Sequence, residues 1–222
     1  NQILRLDEEE KINLKPKLLK KIKSKLNSLK NISAIYIADY EKGIINENLI
    51  KLINKFSKKR KIPIFVDPKN NKIELFKNTD FLKPNLNYIK KIFNDDNLNL
   101  DNLKNKIKFL SSKYKIKNII VTLGPKGSIA YQAKTKTFIY NKPHQVKVFD
   151  LSGAGDVFGS TFLNYYLKNK DLKKALDFAN IAASLSVKQI GAVSINESEI
   201  KKNDISDHKK NILNFNNDKK KI

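Results

Sequence analysis

The sequence has no cysteine, no methionine and no tryptophan, and only seven glycines and six prolines among 222 residues. Without cysteine there is no disulfide framework and no thiol chemistry. No apolar run reaches the ~18 residues that a membrane-spanning helix needs. No signal peptide opens the chain, so a reducing cytoplasm is the expected compartment. Residue 1 is not an initiator methionine, so the chain reads as a slice of a longer product. Arginine is nearly missing too, occurring only at Arg5 and Arg60, although the net charge is +23 and the pI about 9.9. That charge raises nucleic acid as a partner. Lysine is nevertheless spread over almost every helix rather than gathered in one stripe, and no aromatic-basic alternation or zinc spacing accompanies it. Nucleic acid is therefore not expected. At 25.5 kDa the chain suits one well-buried domain.

What is present centres on Asp150-Leu151-Ser152-Gly153-Ala154-Gly155-Asp156. Val146 to Phe149 reads as a short strand before it, and the apolar spacing from Val157 to Leu167 reads as a helix behind it. A glycine turn feeding a helix start aims free backbone N–H groups at one point, which suits an anion, usually phosphate. Asp156 in the first helical turn would repel such a ligand. One reason for it is to take the proton of a hydroxyl attacking phosphorus; the plainer reading is a favourable acid at a helix N-terminus. Two other phosphate loops are excluded. Gly159 falls one residue late for a Rossmann fingerprint, and no Gly-Lys-Ser/Thr occurs for a P-loop.

The rest of the chain alternates strands and helices. Gln2 to Leu6 alternates weakly as a strand, and the acidic run Asp7 to Glu10 follows. Pro16 opens a helix with Leu18, Leu19, Ile22, Leu26 and Leu29 on one face. Ser33 to Ala38 reads as a buried parallel strand that ends in the loop Asp39 to Gly43, either a ligand-side loop or a simple turn. Asn46 can cap the next helix, and strands follow at Pro63 to Asp67 and Asp80 to Lys83. Lys69 can serve as a point charge for phosphate or as a solvated lysine. Asp101 begins a further helix, Lys117 to Leu123 a strand, and Gly124 and Gly127 punctuate a hairpin of Ser128–Gln132 with Thr137–Tyr140. His144 reads as a surface residue. Asp171 caps an alanine-rich helix to about Lys188, in which Asn180 is a core polar contact or a pocket residue. From Ile205 onward the composition reads as linker.

The segment Asp150–Asp156 resembles the second signature of the PfkB (ribokinase-like) carbohydrate kinases. Gln2–Asp7, Asp39–Gly43 and Val66–Lys69 resemble, within that family, the heptose 7-phosphate kinases often fused to an adenylyltransferase. The resemblance implies a three-layer αβα fold with a mostly parallel central sheet over residues 1–203, with residues 204–222 as linker or disordered tail. The fold would be partial, lacking the N-terminal strands and most of the lid, and the chain alone would be weakly active or inactive. It implies ATP, Mg²⁺ and potassium as cofactors, and a homodimer through the lid. By resemblance Asp156 is the base, and Gly153, Ala154 and Gly155 form the anion hole. Asn85, Leu86, Asn87, Tyr88, Thr122, Gly124, Gly127 and Asn180 are the nucleotide residues. Asp39, Lys42 and Lys69 serve the substrate or its phosphate, while Asp150 and Ser152 hold a monovalent cation with Gln189–Ala192. Tyr88 stands where the family has a glutamate, and a phenol cannot supply the charge that orders a magnesium shell. The implied reaction is ATP-dependent phosphorylation of a sugar hydroxyl, the anomeric one of a heptose 7-phosphate. The alternatives are another sugar kinase of the family, or a degenerate nucleotide-binding remnant.

Overall fold

The computed structural model describes residues 13–69, 71–142, 146–207 and 212–213. Short runs rich in β-branched and aromatic residues form the strands, sending alternate side chains to opposite faces. β1 (Ile35–Ala38), β2 (Ile64–Asp67), β3 (Phe81–Leu82) and β4 (Asn118–Thr122) pair in parallel. β5 (Ser128–Gln132), β6 (Thr137–Asn141) and β7 (Ile212–Leu213) continue the sheet antiparallel. The spatial order is β1 to β7, with β1 outermost among the described residues.

The alternation divides the core in two. Ile37, Val66, Leu82, Val121 and Ile129 meet α1 (Pro16–Ser28), α2 (Glu47–Arg60), α3 (Leu86–Phe93) and α4 (Leu100–Tyr114). Phe65, Phe81, Ile120 and Ala130 face α5 (Ala154–Asn169) and α6 (Leu172–Ser186) on the other side. This is the expected three-layer arrangement. A short α7 (Glu197–Asp207) packs its Ile200 against Phe178, Ile181 and Ala182 of α6. Among the described residues no helix is long and apolar enough to cross a membrane.

Side-chain caps start the helices. Asn46, Asn85, Asn99 and Asp171 each accept the backbone N–H three residues on, at 2.7–3.0 Å. Lys61, Asn94, Lys115 and Lys170 then end their helices in the left-handed region, at φ between 48° and 56°. Such positions usually take glycine, which this chain has in short supply.

One expected strand does not form, and one helix that was not expected does. Val146 to Phe149 forms no strand: its turn-side amide, Phe149 N–H, donates to the Val187 carbonyl at 2.8 Å, and Val148 and Phe149 are exposed. The helix α3 was hidden by its short length of eight residues. Within the segment read as linker, α7 runs on to Asp207 and Ile212–Leu213 pair with β6. The Gln2–Leu6 strand, the Asp7–Glu10 run and His144 lie outside the described residues.

One close approach sets the height of α5 over the sheet. A Cβ built on Gly159 would lie 2.5 Å from the Tyr36 hydroxyl, which is itself buried with no hydrogen-bond partner. Gly159→Ala is therefore expected to destabilise the protein by about 1–3 kcal/mol through overpacking. Tyr36→Phe removes the obstructing, unsatisfied oxygen and is expected to cost little by itself. Equilibrium unfolding of both single variants and the double variant checks this: the loss at Gly159 should shrink substantially in the Tyr36→Phe background.

Candidate active site

Carboxyl ends of parallel strands are where open α/β sheets bind ligands, and the charged residues of this chain converge there. Asp39 follows β1, Asp67 ends β2, Lys83 follows β3, and α5 brings its first turn over them. Gly153, the N-cap of α5, sits at φ 74°, a left-handed turn that glycine adopts without strain. Ala154 N–H closes a turn on the Leu151 carbonyl at 3.3 Å. Of the three amides expected to form an anion hole, one is thus already engaged. The N–H groups of Gly153, Gly155 and Asp156 have no protein partner among the described residues. These are the orphan donors at a helix start, at the positive end of its dipole.

Beneath this turn Lys83 Nζ lies 2.8 Å from Asp67 Oδ2, with 3% of the lysine side chain exposed. A Cβ on Gly155 would sit 3.5 Å from that Nζ and 3.9 Å from Asp67 Oδ2, so the turn rests directly on the pair. Burial pushes the Asp67 carboxyl above its ordinary value, Lys83 pulls it back, and the charge of Asp156 pushes it further up. Asp156 in turn accepts a hydrogen bond from the Tyr40 hydroxyl, 3.0 Å to Oδ2. Burial and that hydrogen bond both raise the Tyr40 phenol. The ammonium of Lys69 lies 4.5 Å from the Tyr40 ring centre.

Asp39, expected on the substrate, is 3% exposed and acts as a tether. Its Oδ1 accepts Glu41 N–H at 2.9 Å, its Oδ2 accepts Lys69 N–H at 3.4 Å, and its own N–H donates to the Asp67 carbonyl. Glu41 has φ 58°, which explains why the resembling motif carries glycine at that position. Lys42 is half-buried in the same loop.

The expected nucleotide residues divide. Asn85 spends its side chain capping α3, while Leu86 is half-buried and Asn87 exposed. Tyr88 is buried in the core on the α2–α4 side of the sheet, where burial and then the Asp39 and Glu74 charges push its phenol far up. No group of three or more His, Cys, Asp or Glu side chains able to hold a metal occurs among the described residues. The β3–α3 segment therefore does not fit a divalent cation: it offers a core phenol where a carboxylate is required. Thr122 ends β4, and Gly124 and Gly127, at φ 60° and 89°, form the turn into β5 as hairpin punctuation. Asn180 is buried and donates to Ser128 Oγ at 3.1 Å, a core polar contact.

Asp150 joins two segments. Its Oδ1 accepts Ser152 N–H and Oγ–H at 2.9 and 2.8 Å, and its Oδ2 accepts Gly191 N–H at 2.7 Å. The Leu151 amide adds to these donors, and the Asp150 and Ser152 oxygens are the groups that would hold a monovalent cation.

The sequence reading passed over Tyr40, Asp67 and Lys83 as individual site residues. The signal was there: opposite charges directly follow the fully apolar runs Ile64–Val66 and Phe81–Leu82, where buried strands end.

Comparison with known proteins bears on this arrangement. A model of the pfkB family carbohydrate kinases matches residues 2–199. The Bifunctional protein HldE of Campylobacter curvus is 32% identical over 202 residues, which are 90% of this chain and 42% of that protein. The HldE of Campylobacter jejuni strain RM1221 is 32% identical over 203 residues, again 90% and 42%. The chain thus spans less than half the length of these relatives. Phosphofructokinase-2 from Escherichia coli, solved in complex with potassium, superposes with a TM-score of 0.74 at 20% identity, over 86% of this chain and 62% of that one. Ribokinase from Giardia lamblia gives 0.71 at 19% identity, over 86% and 64%. These likenesses establish the fold.

The Gly191 amide first, then the Ser152 amide and hydroxyl, hold the Asp150 carboxyl below its ordinary value of 3.8. A lowered folded-state value means the tether contributes fully above 3.8 and fades as pH falls through the depressed value. Asp150→Ala is expected to speed exchange of the Gly191 amide proton at neutral pH, whereas the parent should lose that protection only in acid. Proton-exchange NMR checks it.

Proposed function

The chain belongs to the pfkB family of carbohydrate kinases, and from that premise we propose that it carries the phosphoryl-transfer centre of an ATP-dependent sugar kinase whose acceptor is a heptose phosphate. One observation carries the reading: the Asp156 carboxylate stands beside amides of Gly153 and Gly155 that have no protein partner among the described residues, over the carboxyl edge of a parallel sheet. In the step, the acceptor hydroxyl gives its proton to Asp156 while its oxygen bonds to the γ-phosphorus. The bond from that phosphorus to the β–γ bridging oxygen breaks, and ADP leaves. The unengaged amides stabilise the charge on the transferred oxygens. Lys42 and Lys69 are the cations offered to the phosphate of the sugar.

The choice of a heptose phosphate rests on the HldE relatives; phosphofructokinase-2 and ribokinase neighbours make fructose 6-phosphate and ribose the competing acceptors. A panel of the three separates them, heptose 7-phosphate being turned over fastest. The family goes with Mg²⁺ as well as ATP, but Tyr88 leaves the β3–α3 segment without the carboxylate such an ion needs. Tyr88 also favours a second reading, nucleotide binding without turnover. Calorimetry with ATP and then turnover in a protein carrying this chain together with the N-terminal strands of its relatives divides the two. A monovalent cation at Asp150 would help fix the loop that bears the anion turn, and the potassium complex of phosphofructokinase-2 supports this. Sodium in place of potassium is expected to lower turnover in the parent and to make no difference in Asp150→Ala.

In that same active protein, Asp156→Asn is expected to lower kcat by about 10²–10⁴-fold with ATP affinity nearly unchanged. Equal, mild losses in both would remove Asp156 as the base.

A further inference from the structure

We propose that Tyr40 is a positioning residue for Asp156: its hydroxyl occupies Oδ2, leaving Oδ1 as the atom that faces the acceptor hydroxyl. This deepens the kinase reading and rests on it. The hydrogen bond joins residues 116 apart in sequence, linking the β1–α2 loop to the first turn of α5 at 3.0 Å. Among the described residues the Tyr40 hydroxyl is the one side chain that donates to this carboxylate.

Tyr40 is placed for this by backbone rather than by core packing. Asp39 is buried and fixed by the Glu41 and Lys69 amides on one side and the Asp67 carbonyl on the other, so the next residue has little freedom. Lys69 covers the ring at 4.5 Å, yet 49% of Tyr40 remains exposed. A tyrosine held for core packing would be covered by apolar groups; this one faces open space with its hydroxyl on the proposed base.

The other groups around Asp156 explain what the contact does. Tyr36 approaches from β1, Asp67 from the end of β2, and Lys83 from the end of β3, while Lys69 lies over Tyr40. Lys83 is already committed to Asp67. The Tyr40 hydroxyl is therefore the contact that holds one carboxylate oxygen of Asp156 in place. It orients the carboxylate, so its loss affects the aim of the base.

Tyr40→Phe keeps the ring beneath Lys69 and removes only the hydroxyl. In this chain the Asp156 carboxyl ¹³C resonance at pH 7 is expected to move in the variant, because the hydrogen bond to Oδ2 is gone. In the active protein kcat is expected to be about threefold to tenfold lower, with the KM for ATP unchanged. An unmoved carboxyl resonance and an unchanged kcat would overturn the proposal. Asp156→Asn serves as the separate control: if it turns over like the parent, the base assignment fails and this inference with it. If it is inactive while Tyr40→Phe shifts nothing, only the Tyr40 inference fails.

Discussion

A lysine with almost none of its side chain exposed needs a counter-charge within hydrogen-bonding reach, because burying an isolated ammonium is prohibitive. Lys83 has Asp67, and the two stand at adjacent strand ends directly under the glycine turn of α5. Removing one member of such a buried pair typically costs about 3–5 kcal/mol, since the other is left unpaired. The pair therefore fixes the relative register of β2 and β3, and it forms the floor on which the Gly153–Gly155 turn rests. The Gly153 and Gly155 amides have no protein partner among the described residues, and the floor beneath them is made of side chains that already satisfy each other. Asp156, Tyr40 and Lys69 are arranged around that floor, and Asp39 ties their loops to the Asp67 backbone.

The parts of this arrangement that were legible in the sequence are those written in local chemistry. Asn46 and Asp171 announced their helices because a short polar side chain before an apolar-periodic run has one common use. The apolar runs before Asp39, Asp67 and Lys83 announced buried parallel strands for the same reason. Val146–Phe149 misled because apolar residues describe a preference for burial and say nothing about whether a neighbouring strand is available. Here the Val187 carbonyl, at the end of α6, takes the Phe149 amide instead. The Tyr40–Asp156 hydrogen bond was out of reach because no local pattern links two residues so far apart, although both lay inside segments that had drawn attention. Asn180 and Tyr88 show the converse. A position can fall inside a resembling segment, matched at Asn180 and departing at Tyr88, while the folded chain buries its side chain.

Glycine scarcity runs through the backbone. Five glycines hold positive φ, at the turn after β1, the hairpin, the α5 N-cap and the Gln189–Ala192 loop. The remaining left-handed positions fall to asparagine, lysine and glutamate, among them Glu41 beside the tether. Non-glycine residues there cost on the order of 1 kcal/mol each, so the site loop after β1 carries strain that its buried aspartate anchor helps to offset.

The outermost position of β1 has a consequence for how molecules of this chain meet one another. Among the described residues no strand pairs with the outer side of β1, and an edge so placed presents a row of backbone donors and acceptors, the usual template for intermolecular pairing. With a net charge of +23, approaching copies repel, so Coulombic repulsion guards that row. At 1 M salt the screening distance falls to about 3 Å, and the guard is removed. Colloidal behaviour should then be governed by ionic strength rather than by fold stability, with concentrated salt, not heat, as the first condition to bring copies together edge to edge.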